Sequence, residues 1–424
     1  MSEARVNNLS NESSTGGPTI TGITTFSGTN YFVPPVGSTS ERPDNPQKGA
    51  IRFNTDSKHL EYYKGDTIGW SEVEASNDEL GGGTGSNAGT GHRGLYMGGA
   101  TPTYLDVIDY ITISTLGNSQ DFGNLTAAKT STNAFGSRTR GATCGGTTPS
   151  NLTDTDMVFF SSLGNATDYA TLTSSRKEAA VVSNQTRAVH AGGGDNVMQY
   201  LTIESGGDWV DFGDILQAAE QSMGLSSSTR GVIAEGNRVP AGLNDQIEYI
   251  TIATLGNGTN FGDVTDARYG GSSGSNATRG CFAGGWSPNV VNVIDYITIA
   301  TLGNATDFGD MTQAKYNLTG SMSSPTRMVI GGGHQNPDPA VNTIEYFEFA
   351  TTGNGTDFGD LLTASNQASS MSSDTRCIVN SLGGTNVMQY ITISTTGNAA
   401  DFGDLTLTRG QSAAISDCHG GVAQ

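Results

Sequence analysis

A repeated unit constrains the fold of this chain more than any other feature of its sequence. A Gly-Asn pair, or Gly-Gly in one copy, is followed closely by an aromatic residue that recurs at intervals of 43 to 50 residues. The seven positions of the aromatic are Phe122, Tyr169, Phe212, Phe261, Phe308, Phe358 and Phe402. Such a period predicts one supersecondary unit stacked against copies of itself.

Two further positions keep the same register. A large side chain lies twelve residues before each aromatic: Tyr110, Met157, Tyr200, Tyr249, Tyr296, Tyr346 and Tyr390. An arginine marks each copy: Arg93, Arg140, Arg187, Arg230, Arg279, Arg327 and Arg376. The arginines could line a charged lumen or form hydrogen-bond anchors between neighbouring units. Repetition in every copy favours the structural role for these residues.

Each copy divides into four short runs typical of strands, separated by glycine-rich turns. The Gly-Asn pair predicts a tight hairpin between the third and fourth strands. Seven four-stranded sheets predict an all-β chain whose residues 92–424 form a seven-bladed β-propeller. The first copy begins at its second strand, 92–99, and the chain ends on a first strand within 408–421. The C-terminal strand is therefore predicted to complete the first blade and close the ring.

The glycine pairs that follow the second strands, such as Gly98-Gly99 and Gly145-Gly146, resemble those of the kelch repeat family. The resemblance covers residues 92–417 and implies a kelch-like propeller. Kelch repeats usually carry Trp in the fourth strand, closer behind the Tyr, whereas this chain carries Phe twelve residues on.

The tripeptide Asp-Phe-Gly occurs five times and is therefore interpreted as part of the repeat rather than a kinase site. The Phe is predicted to pack between blades, and the Asp and Gly to shape the adjacent turn. Calcium binding by Asp307 and Asp310 is the alternative, although the spacing matches neither an EF-hand nor an RTX repeat. The His and Cys residues form no catalytic or metal-binding motif, so we expect no enzyme activity, no cofactor and no metal.

Charge and loop composition narrow the expected partners. The chain has 41 acidic and 21 basic residues, which argues against binding to nucleic acid or to an anionic membrane surface. Loops of variable length after the second strands are the expected binding surface. The candidate ligand residues there are Trp286, Arg238, His334 and Tyr104, and the alternative is that these loops merely cap their blades.

The N-terminal part predicts a separate small domain. Residues 1–75 read as a flexible start followed by a β-meander, and residues 76–91 as a Gly/Ser/Asn-rich linker. The stretches "RPDNPQKGAIRFNTD" and "LEYYKG", followed by Trp70, resemble a module of structural proteins from tailed bacteriophages, especially those of marine cyanobacteria. The resemblance implies a virion component, made in the host cytoplasm and displayed on the particle exterior. It also implies trimers and contacts with other virion proteins.

Three hypotheses about function remain open at this point. The first is a tail or head fibre whose propeller binds a host-surface glycan or protein. The second is a structural decoration protein without a ligand. The third is a polysaccharide-degrading enzyme, which requires a carboxylate pair that the sequence does not single out.

Overall fold

The computed structural model of the chain is all-β, as predicted. It describes residues 34–56, 59–67, 69–72, 93–234, 236–238, 242–318, 322–337, 339–373, 375–380, 385–417 and 422–423. These residues contain β-strands, one 3-10 turn at Thr39–Glu41, and no α-helix. The chain folds as two compact units, 1–75 and 76–424. Two predicted segments, the linker 76–91 and a flexible start of the chain, lie outside the described residues.

The N-terminal unit is a four-stranded sheet that buries a charged cluster. Its strands, in order of pairing, are Val36–Gly37, Ile51–Asn54, His59–Tyr63 and Trp70–Glu72. Glu61 is fully buried and forms ion pairs with Arg42 at 2.5 Å and with Arg52 at 3.3 Å. Because removing either partner from a buried ion pair leaves an uncompensated charge, both arginines hold this small sheet together.

In the second unit, each copy of the repeat forms its own antiparallel sheet, described here from first to fourth strand. Sheet 1 contains Ala413–Ser416, Arg93–Met97, Val107–Thr112 and Gln120–Asn124. Sheet 2 contains Asn133–Gly136, Arg140–Cys144, Ser150–Phe159 and Thr167–Arg176. Sheet 3 contains Ala180–Ser183, Arg187–Ala191, Val197–Thr202 and Val210–Asp214. Sheet 4 contains Met223–Ser226, Arg230–Ala234, Gln246–Thr251 and Thr259–Asp263.

The remaining copies follow the same order. Sheet 5 contains Ser272–Ser275, Arg279–Ala283, Val293–Thr298 and Thr306–Asp310. Sheet 6 contains Arg327–Gly331, Thr343–Glu348 and Thr356–Asp360. Sheet 7 contains Ser369–Ser372, Arg376–Asn380, Val387–Thr392 and Ala400–Asp404. The predicted first strand of sheet 6, within 315–327, includes residues 319–321, which lie outside the described residues, and its described part is not a strand.

Short strands extend these sheets at their ends. Thr147–Thr148 pairs with the third strand of sheet 2, and Val422–Ala423 pairs with its first strand. Ala219–Glu220, Asn237–Arg238 and Gly242–Leu243 form a small sheet of their own. Trp286–Ser287 pairs with Asn289–Val290 as a short hairpin.

The two ends of the repeat region meet in sheet 1. Ala413–Ser416 pairs antiparallel with Arg93–Met97, as the sequence predicts. Sheet 7 also bonds to sheet 1, because the Gly117 amide donates to the Phe402 carbonyl at 2.8 Å. The Gly164 amide donates in the same way to the Phe122 carbonyl, at 2.8 Å, between sheets 1 and 2.

The Asp-Phe-Gly tripeptide forms a β-bulge in the fourth strand. In sheet 1, Asp109 lies opposite Asp121 and Ile108 opposite Gly123, so Phe122 is the extra residue. A bulge of this kind redirects one side chain. Phe122 is buried and meets the Tyr110 ring edge-on, with 6.0 Å between ring centroids. The twelve-residue spacing therefore brings the repeated Tyr and Phe into contact within one sheet.

The predicted tight hairpin at Gly-Asn is wrong. In sheet 5, residues 299–305 connect the third and fourth strands, and the backbone of the Gly-Asn pair reaches the preceding sheet instead. The Gly303 amide donates to the Phe261 carbonyl at 2.8 Å. The Asn304 side-chain oxygen accepts the Asp263 amide at 3.2 Å. The pair is thus a docking element between sheets, and this role requires a longer loop than a two-residue turn.

The glycine of Asp-Phe-Gly permits this docking. In sheet 4 the tripeptide reads Asn-Phe-Gly, and a Cβ added to its Gly262 would lie 2.3 Å from the Gly303 carbonyl oxygen. Only a residue without a side chain allows the two backbones to approach so closely. Sheet 2 carries Ala170 at the position of this glycine, and the next copy correspondingly has Gly206-Gly207 instead of Gly-Asn.

The first strands of neighbouring sheets lie side by side and are built from small residues. The Ser275 hydroxyl donates to the Ser226 carbonyl at 3.2 Å, and the Ser226 hydroxyl donates to the Ser183 carbonyl at 2.9 Å. The Ser416 hydroxyl likewise donates to the Ser372 carbonyl at 2.8 Å, which joins sheet 1 to sheet 7. Small side chains allow the first strands to converge while their buried hydroxyls remain hydrogen-bonded.

We expect Gly309→Ala to destabilise the protein much more than Gly303→Ala. Both glycines have positive φ, +142° and +148°, so both substitutions introduce backbone strain. A Cβ on Gly309 would also lie 2.6 Å from the Gly353 carbonyl group, whereas a Cβ on Gly303 meets nothing within 4 Å. The expected losses are about 2–4 kcal/mol and about 1 kcal/mol, measured by urea unfolding. Equal losses would contradict the close-approach role of the Asp-Phe-Gly glycine.

Candidate functional site

One end of the sheets carries both the loops after the second strands and the connections between successive sheets. This follows because antiparallel strands alternate in direction, so every second connection lies at the same end. Backbone bridges join the two kinds of segment, with Tyr269 opposite Trp286 and Tyr316 opposite His334. We call this end the loop face.

An aromatic row crosses the loop face from sheet 5 to sheet 6. The rings of Trp286 and Tyr316 meet edge-on with centroids 5.3 Å apart, and those of Tyr316 and His334 meet with centroids 5.4 Å apart. All three side chains are half-buried, so each exposes part of its surface to solvent. The structure therefore brings together two of the four predicted ligand residues, Trp286 and His334, through a third aromatic.

Polar groups border the aromatic row. The Gln335 amide donates to the Gln313 side-chain oxygen at 3.0 Å. His334 Nδ1 is buried and has no hydrogen-bond partner among the described residues. Partly exposed aromatic rings beside unsatisfied polar groups are typical of surfaces that bind carbohydrate or protein ligands.

The other two predicted ligand residues lie on the loop face but in different sheets. Arg238 lies in the loop after the second strand of sheet 4, whose residues 235 and 239–241 lie outside the described residues. Its guanidinium bonds to the Asn244 side chain. Tyr104 belongs to sheet 1, where it bridges Ala100 and is 37% exposed. No described ring contact joins either residue to the aromatic row.

Sequence reasoning missed Tyr316, which links the two aromatics. It lies in the connection between sheets 5 and 6, inside a stretch interpreted only as a small-residue strand. Alignment of the connections would have found it, because Tyr269 occupies the equivalent position one sheet earlier.

The repeated arginines lie at the opposite end of the sheets from the loop face and bond each sheet to the next. In every copy, Nη1 of the arginine donates to a backbone carbonyl of the next sheet. The pairs are Arg93 to Phe160, Arg140 to Ile203, Arg187 to Ile252, Arg230 to Ile299, Arg279 to Phe349, Arg327 to Ile393 and Arg376 to Ile113. The last of these bonds joins sheet 7 to sheet 1. The geometry is that of hydrogen-bond anchors between sheets.

Each arginine also stacks on an aromatic ring. In the six copies with Tyr in the third strand, the guanidinium carbon lies 4.1 to 4.7 Å from the centre of that ring. In sheet 2, where Met157 takes the place of the Tyr, Arg140 lies over Tyr169, at 5.5 Å. This cation–π contact holds the guanidinium in position for its hydrogen bond.

Buried ion pairs form a second set of contacts between sheets. A cation in the connection before a sheet meets an acid in the third strand of that sheet. These pairs are Arg409–Asp109, Lys129–Asp156, Arg268–Asp295 and Lys315–Glu345, at 2.5 to 2.9 Å. In sheet 7 both positions are neutral, with Ser365 and Gln389. Because the carboxylates are buried against cations, their charges are compensated within the contacts between sheets.

Sheet 3 has a cation, Arg176, but neutral Gln199 in place of the acid, and Arg176 pairs with Asp195 at 2.9 Å. Sheet 4 shows the reverse. Its acid, Glu248, is 6% exposed, but Ala219 occupies the position of the cation. Glu248 accepts a hydrogen bond from the Leu216 amide at 3.0 Å. Burial raises the pKa of Glu248 to about 7, and the hydrogen bond from Leu216 only partly opposes this rise.

Burial moves the pKa of three thiols and of one histidine far from neutral. Burial raises the pKa of the Cys144 thiol to about 12, and it lowers the pKa of His190 to about 3. Cys281 and Cys377 are buried as well, and burial raises the pKa of each thiol. Cys418 lies outside the described residues.

Among the described residues, no group of three or more His, Cys, Asp or Glu side chains is arranged to hold a metal ion. Nor does the described part of the chain contain a helix with the length and apolar character needed to span a bilayer.

Comparison with known proteins identifies no relative. Neither a scan against protein-family models nor a search of curated proteins finds a match to this chain. The geometry of the loop face and the sequence resemblances therefore carry the functional argument.

We expect Glu248→Gln to stabilise the protein above pH 7 and to change little below pH 5. The folded-state pKa lies above the ordinary value, so the wild type is most stable when Glu248 is protonated in both states. Its stability falls as the pH rises from about 4.5 to about 7. The expected gain at pH 8 is up to about 3 kcal/mol, measured by urea unfolding across this range.

The matched control is Glu345→Gln, at the same position in sheet 6. Glu345 is paired with buried Lys315 at 2.7 Å, so its replacement should destabilise the protein at both pH values. A pH-independent effect of Glu248→Gln would contradict the burial of an unpaired carboxyl group.

Proposed function

We propose that residues 93–417 form a closed, seven-bladed, kelch-like β-propeller that acts as a non-enzymatic binding module. The module belongs to a virion appendage, either a tail fibre or a head fibre. Its loop face binds a glycan or protein on the host surface, and the N-terminal unit attaches the appendage to other virion proteins.

Contacts between sheets 7 and 1 support the closed ring. They repeat three kinds of contact found between consecutive sheets: the arginine anchor from Arg376, the Gly-Asn docking of Gly117 on Phe402, and the buried pair Arg409–Asp109. Repetition of all three at the junction of the chain ends is expected of a ring without a free edge.

The aromatic row Trp286–Tyr316–His334 is the observation that carries the binding function. It lies where the loops depart from the repeat, and partly exposed aromatic side chains contribute much of the binding energy at many interfaces. A role in packing alone would not require three adjacent aromatic residues on a surface where other sheets have Thr147 or Gly194.

The assignment to a virion rests on the resemblance of residues 42–70 to a phage structural module. The N-terminal unit supports an attachment role, because Val36 and Ile51 are more than half exposed on a sheet too small to form a large core. Assembly into trimers is part of the same proposal, as in other fibre proteins.

A truncation tests ring closure. Removal of residues 411–424 deletes the first strand of sheet 1 and exposes the edge of Arg93–Met97, so we expect loss of cooperative unfolding and aggregation. Removal of residues 418–424 alone, which keeps that strand, is the control. An unchanged midpoint for the longer deletion, measured by thermal unfolding, would rule out the closed ring.

Cell binding tests the function. Fluorescently labelled full-length protein should bind saturably to some strains in a panel of bacteria, and Trp286→Ala should weaken binding by about tenfold, as expected for a central aromatic contact. Leu302→Ala, at an exposed position on the opposite end of the sheets, should leave binding unchanged. Absence of binding to every strain, with attachment to virions retained, would instead favour a decoration protein without a ligand.

A further inference from the structure

A polar cavity lies between the connections that join successive sheets. It consists of two adjoining lobes of about 260 and about 300 Å³, which share Asn133, Gln221 and Gln367 in their walls. This volume is at the lower end of the range for small-molecule sites. The cavity is distinct from the aromatic row, none of whose three residues lines it.

A ring of residues with left-handed backbone surrounds the cavity. Six of them, with φ of 48° to 55°, occupy one position in successive connections: Ser131, Glu178, Gln221, Asn317, Gln367 and Gln411. Gly270 occupies the same position between sheets 4 and 5, with φ of 68°. Backbone hydrogen bonds join neighbours in this ring, such as Gln221 to Glu178 at 2.9 Å and Asn317 to Gly270 at 2.7 Å.

The left-handed backbone does not explain why six of these seven positions carry polar side chains instead of glycine. Left-handed conformation costs a residue with a Cβ about 1 kcal/mol or more, and glycine avoids this cost. Gly270 demonstrates that the connection forms without a side chain at this position. The Gln411 side-chain amide donates to the Gln367 side-chain oxygen at 3.1 Å, a contact within the ring. The polar side chains at the remaining positions therefore point to a role beyond folding.

Two buried polar atoms in the cavity wall lack partners. Ser272 is 3% exposed, and its hydroxyl has no hydrogen-bond partner among the described residues. The side-chain oxygen of Asn133 is also buried without a partner, although its amide nitrogen donates to the Ala179 carbonyl at 3.0 Å. Buried polar groups are nearly always satisfied, so these two atoms call for a bound hydroxyl group or water.

The chemistry of the wall defines the class of ligand. Amide side chains offer both donors and acceptors, and Met223 and Leu318 add a small apolar surface. Glu178 is the one charged side chain in the wall, and Lys177 lies beside it at 3.6 Å. A sugar ring has the matching features, because its edge carries hydroxyl groups and its face carries C–H groups.

We infer that this cavity binds a neutral mono- or disaccharide. The ligand is held by Asn133, by Ser272 and by the amide side chains at the left-handed positions, which are Gln221, Asn317, Gln367 and Gln411. This site is additional to the aromatic row and does not depend on cell binding.

The test uses the full-length protein and named probes: glucose, galactose, mannose, N-acetylglucosamine, maltose, cellobiose and lactose. Saturation-transfer NMR and calorimetry should detect binding of at least one of them. The double substitution Gln221→Gly and Gln367→Gly should weaken that binding by about tenfold or more, as expected when ligand hydrogen bonds are lost. Its melting temperature should be unchanged or higher, since glycine suits the left-handed conformation.

Matched variants distinguish this site from the aromatic row. Ser272→Ala removes one unsatisfied hydroxyl and should also weaken binding, whereas Trp286→Ala should not. If no probe binds, the cavity holds only water and the inference fails. If Trp286→Ala abolishes binding and the glycine variant does not, the saccharide lies on the row, which overturns this inference but supports the proposed function. Tighter binding of glucosamine or glucuronate than of glucose would overturn the neutral class.

Discussion

The contact between neighbouring sheets is the interaction on which the structure of the repeat unit depends. A sheet of three or four short strands cannot bury its own faces, so it is stable only between two others. The third strand makes this plain, because Ile108 and Asp109 point to opposite faces and both are fully buried. Each contact between sheets combines an arginine anchor with a polar or charged bond to the third strand. Every contact except that between sheets 2 and 3 adds a close approach of two backbones.

The anchors are constant while the buried charges vary. An arginine bonds to the next sheet in every copy. Its two contacts, with an aromatic ring and with a backbone carbonyl, lie at the end of the sheets opposite the loop face, so they do not depend on the length of the variable loops. Charge can vary because a neutral pair such as Ser365 and Gln389 fills the same place without a desolvation cost. Glu248 is the exception that retains an acid without its cation, and it makes one contact between sheets depend on pH.

The repeat made much of the fold predictable. Three registers over seven copies indicated the strands, the sheets and the pairing of the C-terminal strand with Arg93–Met97. The hairpin prediction was wrong because Gly-Asn is locally a turn signal, whereas its backbone groups bond to another sheet. Trp286 and His334 were found as departures from the repeat.

The sequence by itself determined the all-β class and the strand order, because period and turn chemistry are local properties that survive without coordinates. Only the tertiary structure decided which polar residues meet. The glycine of Asp-Phe-Gly, the buried pairs and the left-handed ring around the cavity all join residues from different copies. Such contacts depend on distances across the boundaries between sheets, and the order of residues within one copy does not encode them.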